Sequence, residues 1–284
     1  MEFTGRLRGK VAVVAGATRG AGRGIACMLG EAGATVYCTG RSLRGKLVRK
    51  NRPETIEETA ELVTQHGGKG IHVRVDHTDA EQVRDLFRRV RREQRGRLDI
   101  LVNDLTGDSH MQVKPFLEHS LRDGLQVLEN GSFSHIITSY YGVPLMARNG
   151  GGLVIEMTDG VSNEIREFSF YYDLEKAMNI RLAQSLAIQL RKDRIAVVAL
   201  TPGFMRSEEV LSALGVTEET WRDGILKDRY FAYSETPFYV GKAAVALACD
   251  RRVMKKTGQV LMSGKLAREY RFTDVDGAQP FWAY

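Results

Sequence analysis

Val11-Ala12-Val13-Val14-Ala15-Gly16-Ala17-Thr18-Arg19-Gly20-Ala21-Gly22, running on into Ile25-Ala26-Cys27-Met28-Leu29, decides how this chain folds. Five small or β-branched apolar residues read as a buried strand, the glycines as a tight turn, and the apolar residues beyond them as the inward face of a helix. Glycine is needed in such a turn for its backbone angles. It also lets the chain approach a pyrophosphate that sits at the positive end of the helix. Gly16, Thr18, Arg19, Gly20 and Gly22 are therefore read as a dinucleotide phosphate cradle. A glycine turn alone is weak support, and it gains force from Tyr172-Asp173-Leu174-Glu175-Lys176 downstream.

Outward from that turn, β-rich runs alternate with helical periods, with strands expected near 11–15, 34–39, 70–75, 98–103, 152–157, 195–200 and 259–262. Strand, helix, strand repetition implies parallel strands joined by right-handed crossovers. The expected fold class is α/β, a Rossmann-like doubly wound parallel sheet of about seven strands with helices on both faces. Ligands of such a sheet bind at the carboxyl ends of the strands, and each motif below falls there or on the following helix. One domain is expected over 1–284, with a substrate lid at about 204–236 and a C-terminal tail at about 264–284. The lid reading rests on Leu211, Leu214, Trp221, Ile225, Leu226, Tyr230, Phe231 and Tyr233, because aromatic residues in a loop-rich insertion need something flat or apolar to cover. Thr106 to His119 is a second expected pocket wall.

The composition is that of a globular protein, 43% hydrophobic and 27% charged over 284 residues. No apolar run reaches the roughly 18 residues of a membrane span, and the start lacks the apolar centre of a secretion signal. A cytoplasmic protein is expected, with no membrane partner. Cys27, Cys38 and Cys249 have neither disulfide nor zinc spacing and read as buried free thiols; the six histidines likewise show no metal-ligand spacing. The net charge of +6 raises nucleic acid as a partner. The basic run Arg41 to Arg52 and the arginines from Arg84 to Arg97 carry most of it. The second group shares a helix with Val83, Leu86, Phe87 and Val90 and solvates its outer face. No nucleic-acid module is present, and no nucleic-acid partner is expected.

Thr39-Gly40-Arg41-Ser42 closes the second strand with a glycine where an enzyme choosing NAD usually carries an acid for the ribose hydroxyls. The arginine that follows favours NADP(H), since charge-assisted guanidinium hydrogen bonds to a phosphate are worth about 1.5 to 3 kcal/mol each. Arg19 reaches the same group. Asp76 is read either as an acceptor for the adenine amino group or as a helix cap. Tyr172 and Lys176 share one helix face at i and i+4, so their side chains can meet. Free tyrosine loses its proton at about pH 10; a neighbouring ammonium favours the phenolate and lets the hydroxyl work as acid or base. Tyr171 points elsewhere and is read as packing or as lining the pocket.

Over nearly its whole length the chain resembles the short-chain dehydrogenase/reductase family, through the glycine turn, Asp76, Leu101-Val102-Asn103, Tyr172 with Lys176, and Pro202-Gly203. More narrowly, Gly96-Arg97-Leu98-Asp99, Thr201-Pro202-Gly203-Phe204 and the tail from Leu266 to Gly277 resemble its dehydrogenase/reductase member 1 branch and bacterial relatives. The resemblance implies an NADP(H)-dependent oxidoreductase acting on a small-molecule carbonyl or alcohol; the carboxylate of Asp159, a departure from the family pattern, adds an imine/amine pair as a variant. The resemblance also implies cofactor contacts from Asn103, Pro202 and Gly203, a nicotinamide-ribose contact from Lys176, and a homodimer or homotetramer built on the long helices around the fifth strand.

Three departures from the family pattern follow. A serine is usual thirteen residues before the tyrosine, and this chain has Asp159 there; Thr158 one place earlier, or less readily Ser162, is the substitute hydroxyl. An ionised Asp159 cannot donate to a carbonyl oxygen and repels a forming alkoxide. It can donate if protonated, bind a cationic group such as an amine, or simply cap a turn. The usual Asn-Asn-Ala-Gly reads Asn103-Asp104-Leu105-Thr106-Gly107. Either Glu129 or Asn130, with Asn130 preferred, takes the place of the asparagine that orders the lysine's water chain. The missing serine and the acids Asp159 and Glu129 motivate the alternative of a non-redox enzyme on the same scaffold: a dehydratase, isomerase or cyclase.

Overall fold

A computed structural model describes residues 3–107, 110–160, 165 and 169–281. The described residues form a seven-stranded sheet in the order β3-β2-β1-β4-β5-β6-β7, every neighbouring pair parallel. The strands are β1 Val11–Ala15, β2 Thr35–Gly40, β3 Lys69–Arg74, β4 Ile100–Asn103, β5 Gly152–Met157, β6 Ile195–Thr201 and β7 Val260–Met262. Each lies within two residues of its expected place. The largest difference is at β4, where Asp99 accepts from the Val11 backbone N–H and from Lys10 and Arg97, and the strand starts two residues later than expected.

Alternation of side chains along buried strands supplies two cores. Ala12, Val14, Ile155, Val198 and Leu200 pack on one face against α1 (Gly20–Glu31), α8 (Pro237–Cys249) and α9 (Ser263–Tyr270). Val11, Val13, Leu101, Val154, Val197 and Ala199 face α3 (Ala80–Glu93), α5 (Ser134–Arg148) and α6 (Phe170–Gln189) on the other. α2 (Ile56–Gln65) joins β2 to β3. In α3 the expected stripe of Val83, Leu86, Phe87 and Val90 is buried, and Arg84, Arg88 and Arg89 pair with acids on the outer face.

The strand order reverses between β1 and β4, which opens a crevice at their carboxyl ends. Gly16 has φ +91°, and a Cβ there would stand 2.2 Å from the Asp104 carbonyl oxygen. A Cβ on Gly22 would stand 2.4 Å from the Gly16 carbonyl oxygen. The turn therefore admits no larger residue at either position without moving backbone. Cys27 and Cys38 are buried thiols, whereas Cys249 is half-buried, because it closes α8 at the surface.

The segment 204–236 contains α7 (Glu208–Leu214) and two short 3₁₀ turns, Trp221–Leu226 and Arg229–Tyr233. Phe204 lines the crevice, but the aromatic residues further along the segment do not join it there. Phe231 is fully buried under Phe204 and Trp221, ring centroids 5.2 and 5.9 Å away, while Tyr230, Tyr233 and Leu226 are exposed. Arg206 lies 4.3 Å above the Trp221 ring and holds Glu218 and Asp276, so the insertion has a small core of its own.

Candidate active site

A cleft of about 750 Å³ runs along the carboxyl ends of the strands from Arg41 and Asp76 to Asp159 and Tyr172. At one end the backbone N–H groups that open α1 each hold a carboxylate: Gly20 donates to Glu208 at 2.8 Å and Gly22 to Asp104 at 2.5 Å. The chain itself thus shows that this helix terminus is an anion site. Three arginines border it, each against an acid. Arg19 meets Glu54 at 3.2 Å, Arg41 meets Asp76 at 3.7 Å, and Arg49 clasps Glu209 with two bonds of 3.1 and 3.2 Å. Asp76 also accepts from Thr78; burial raises its carboxyl pKa, but those hydrogen bonds and Arg41 outweigh burial and hold it low. Gly40 lies so close to Thr18 that a Cβ would stand 2.6 Å from its hydroxyl. Glycines without room for a Cβ, helix-opening N–H groups that already hold carboxylates and bordering guanidinium groups together fit a phosphate-bearing dinucleotide.

At the other end α6 presents Tyr172 and Lys176. The Tyr172 hydroxyl donates to Asp159 Oδ2 at 2.9 Å, and Lys176 Nζ lies 4.8 Å from the centre of the Tyr172 ring. Lys176 also donates to Glu175 Oε1 at 2.8 Å, and Glu175, wholly buried, accepts from the Gly107 N–H at 3.4 Å. The hydroxyl of Thr158 turns away and donates to the Lys176 carbonyl at 3.0 Å, pinning β5 to α6. Between α4 (Leu121–Leu128) and α5 the helix widens into a π turn, Glu129–Phe133, a departure that recurs at functional sites. The wider turn buries Asn130 in the cleft, where its Nδ2 has no partner among the described residues, and leaves Glu129 exposed.

Behind the cleft lies a buried polar network. Asn103 Nδ2 donates to Ser139 and to both oxygens of Glu156 at 2.9, 3.0 and 3.1 Å, and His135 Nδ1 is 2.7 Å from Glu156. His135 Nε2 donates to the Leu105 carbonyl at 2.9 Å, which ties down the loop that forms the cleft wall. His77, neutral because burial drives its pKa down to about 3, sits between the hydroxyls of Thr39 and Thr138.

The model of the short-chain dehydrogenase family matches residues 10–214. Dehydrogenase/reductase SDR family member 1 of Homo sapiens and of Mus musculus are 37% and 36% identical to this chain over 277 residues, 95% of it and 85% of each relative. The chain belongs to the short-chain dehydrogenase family. Among solved structures, a short-chain dehydrogenase of Mycobacterium thermoresistibile superposes with a TM-score of 0.81 at 21% identity over 97% of this chain and 92% of that one, which shows the fold. Short-chain dehydrogenases use nicotinamide cofactors and act on small molecules, and the cradle described above fits such a nucleotide.

Of the residues singled out in the sequence, Gly16, Thr18, Arg19, Gly20, Arg41, Asp76, Asn130, Thr158, Asp159, Tyr172, Lys176, Pro202 and Gly203 line this one cleft. Gly22 and Asn103 stand just behind it. Ser162 lies outside the described residues. Tyr171 packs against α4, as read from its spacing. Sequence reasoning missed Glu175, Glu208 and the Glu156–His135 pair. Glu208 meets Gly20 across 188 positions, so nothing local marks it. Glu175, next to the lysine, had a signal: an acid on the inward side of a helix at a position with no solvent. Among the described residues no cluster of His, Cys, Asp or Glu fits a metal ion, and no helix is long and apolar enough to cross a membrane.

Proposed function

We propose that the protein is an NADP(H)-dependent oxidoreductase in which hydride passes between nicotinamide and a small carbonyl or alcohol, with Tyr172 as the acid/base. The observation that carries this is the joining of an anion-binding helix terminus and the Tyr172–Lys176 pair by one cleft. A bound dinucleotide would supply the hydride and two electrons. Gly16, Gly20 and Gly22 would receive its pyrophosphate. Arg19 and Arg41 would exchange Glu54 and Asp76 for the 2′-phosphate, which supports NADP(H) over NAD, and Pro202 and Gly203 would flank the nicotinamide. Tyr172 holds the proton at its hydroxyl oxygen, Lys176 orients the ring and binds the ribose, and Glu175 fixes the ammonium.

The chain is proposed as one dinucleotide-binding domain working in the cytoplasm, with 204–236 as its substrate-side flap. Exposed Phe133, Ile136 and Tyr140 on and beside α5, with Phe170 and Ile188 on α6, support a homodimer or homotetramer through those helices. Incubation with NADPH and a panel of ketones, aldehydes and imines tests the reading: Tyr172→Phe should lower turnover about 10³-fold while leaving NADPH affinity unchanged. Undiminished turnover in that variant rules the reading out. Because Asp159 accepts the Tyr172 hydrogen bond and stands ready to receive its proton, a non-redox proton shuttle, as in a dehydratase or isomerase, is the second reading. It predicts product of unchanged oxidation state without net loss of NADPH.

A further inference from the structure

We infer that the substrate pair is iminium and amine, with the reacting carbon bonded to a cationic nitrogen that seats on Asp159. This rests on the hydride-transfer reading above and narrows its substrate class. Whatever exchanges a proton with the Tyr172 hydroxyl must come within hydrogen-bond reach of that oxygen, and the Asp159 carboxylate is itself one hydrogen bond away, 2.9 Å. Substrate and carboxylate are therefore neighbours. The nearest hydroxyl on the described part of the β5 exit, Thr158, is turned to the Lys176 carbonyl and offers the substrate no donor. Lys176 meets the Tyr172 ring and donates to the buried Glu175.

The chemistry of the two candidate groups then separates them. A carbonyl oxygen gains negative charge as its carbon is reduced, and the Asp159 carboxylate opposes that charge at close range. An imine nitrogen is basic enough to carry a proton near neutral pH, and its N–H⁺ donates a charge-assisted hydrogen bond to the same carboxylate. Asp159 thereby keeps the nitrogen protonated, which is the form that accepts hydride. On reduction by the dihydronicotinamide one C–H bond forms at the iminium carbon, the C=N π pair becomes the nitrogen lone pair, and a neutral amine results. The imine takes its proton from the Tyr172 hydroxyl on binding, the hydride then cancels the cation, and the Tyr172 phenolate recovers a proton from water, so no other oxidant or reductant is required. Leu105, Met157 and Phe204 line the same cleft and suit an alkyl or aryl body on that nitrogen.

The test pairs cyclic imines with ketones of matching shape, pyrroline with cyclopentanone and dihydroisoquinoline with tetralone, each with NADPH. The intact protein should favour imine over ketone by about 100-fold in kcat/KM, and Asp159→Ser should erase or reverse that ratio, because the site would then offer a neutral donor. A second readout needs no turnover. Calorimetric titration of the NADP⁺-saturated protein with tetrahydroisoquinoline and with tetralol should show Asp159→Asn weakening the amine by about 30-fold or more and sparing the alcohol. Unchanged NADP⁺ affinity and melting temperature confirm that the variants are folded. Faster turnover of the ketones by the intact protein, or amine affinity untouched by Asp159→Asn, overturns the iminium assignment and leaves hydride transfer standing. Turnover of neither series overturns both.

Discussion

The two ends of the cleft are both furnished with the chain's own carboxylates, yet these do opposite things. At the cradle, Glu208 and Asp104 sit on the N–H groups of Gly20 and Gly22, where the proposed dinucleotide would place a phosphate. They stand in for the ligand. At the other end, Asp159 and Glu175 hold Tyr172 and Lys176, the groups proposed to carry the reaction, so under that reading they set the chemistry. The difference follows from what defines each end. The cradle is defined by backbone and by the absence of side chains, so any anion of suitable size satisfies it; the catalytic end is defined by the charges of particular side chains, so each replacement changes what can bind.

The strongest way to break this comparison is Gly22→Ala. Its Cβ would lie 2.4 Å from the Gly16 carbonyl oxygen and 2.8 Å from Asp104, and backbone would have to move. NADPH affinity, followed by nucleotide fluorescence, should fall by about 100-fold, since the N–H groups no longer converge on one phosphate. A fall of that size with retained helix signal marks the cradle as sterically defined; unchanged affinity would mean that the pyrophosphate binds elsewhere.

A smaller effect of opposite sign is expected from Glu208→Gln. The carboxylate competes for the Gly20 N–H and lies 3.8 Å from Arg23, while Arg52 holds the Glu208 carbonyl, so α7 is strapped across the mouth of the cradle. Removing the charge while keeping the shape should tighten NADPH by about 10-fold, most strongly at low salt. Weaker binding in the variant would show that Glu208 supports the site and does not compete for it.

The same contrast explains what could be read in the sequence. β1, its glycine turn and α1 were legible because sterics restrict those positions to few residue types, and Tyr172 with Lys176 because four residues make one helical turn. The choice between Glu129 and Asn130 was not, because a π turn inserts a residue without any mark in the spacing. Nor was the choice between Thr158 and Asp159, which depends on where one hydroxyl finds an acceptor on another element. The aromatic residues of 204–236 read as a cover for the cleft, but Phe231 and Trp221 pack on each other with Phe204 because a segment that long needs apolar contacts of its own.

Glu235 extends the comparison to a carboxyl that serves neither ligand nor chemistry but the scaffold beneath Gly203. Its Oε2 accepts from the Gly203 N–H at 3.0 Å and from the Ser263 hydroxyl at 2.6 Å, and Oε1 has no partner among the described residues. Burial pushes its pKa from 4.5 up to about 8, with the hydrogen bonds pulling back, Asp274 adding to the rise and Arg206 opposing it. Below pH 4.5 folded and unfolded chains both carry the proton. Between 4.5 and about 8 the unfolded chain gives it up while the folded chain keeps it, so stability falls as pH rises through that window and levels off above it. Each pH unit there costs about 1.4 kcal/mol at most. Glu235→Gln is neutral throughout and keeps the carbonyl acceptor for Gly203, so it should lose this slope. Between pH 5 and pH 8 its melting temperature should gain on that of the parent by roughly 5 °C, the shift expected for about 2 kcal/mol in a chain of this size. Parallel curves for the two proteins would mean that the carboxyl ionises in the folded state as readily as in the unfolded one. The Gly203 turn would then rest on a carboxylate, as Gly20 and Gly22 do at the far end of the cleft.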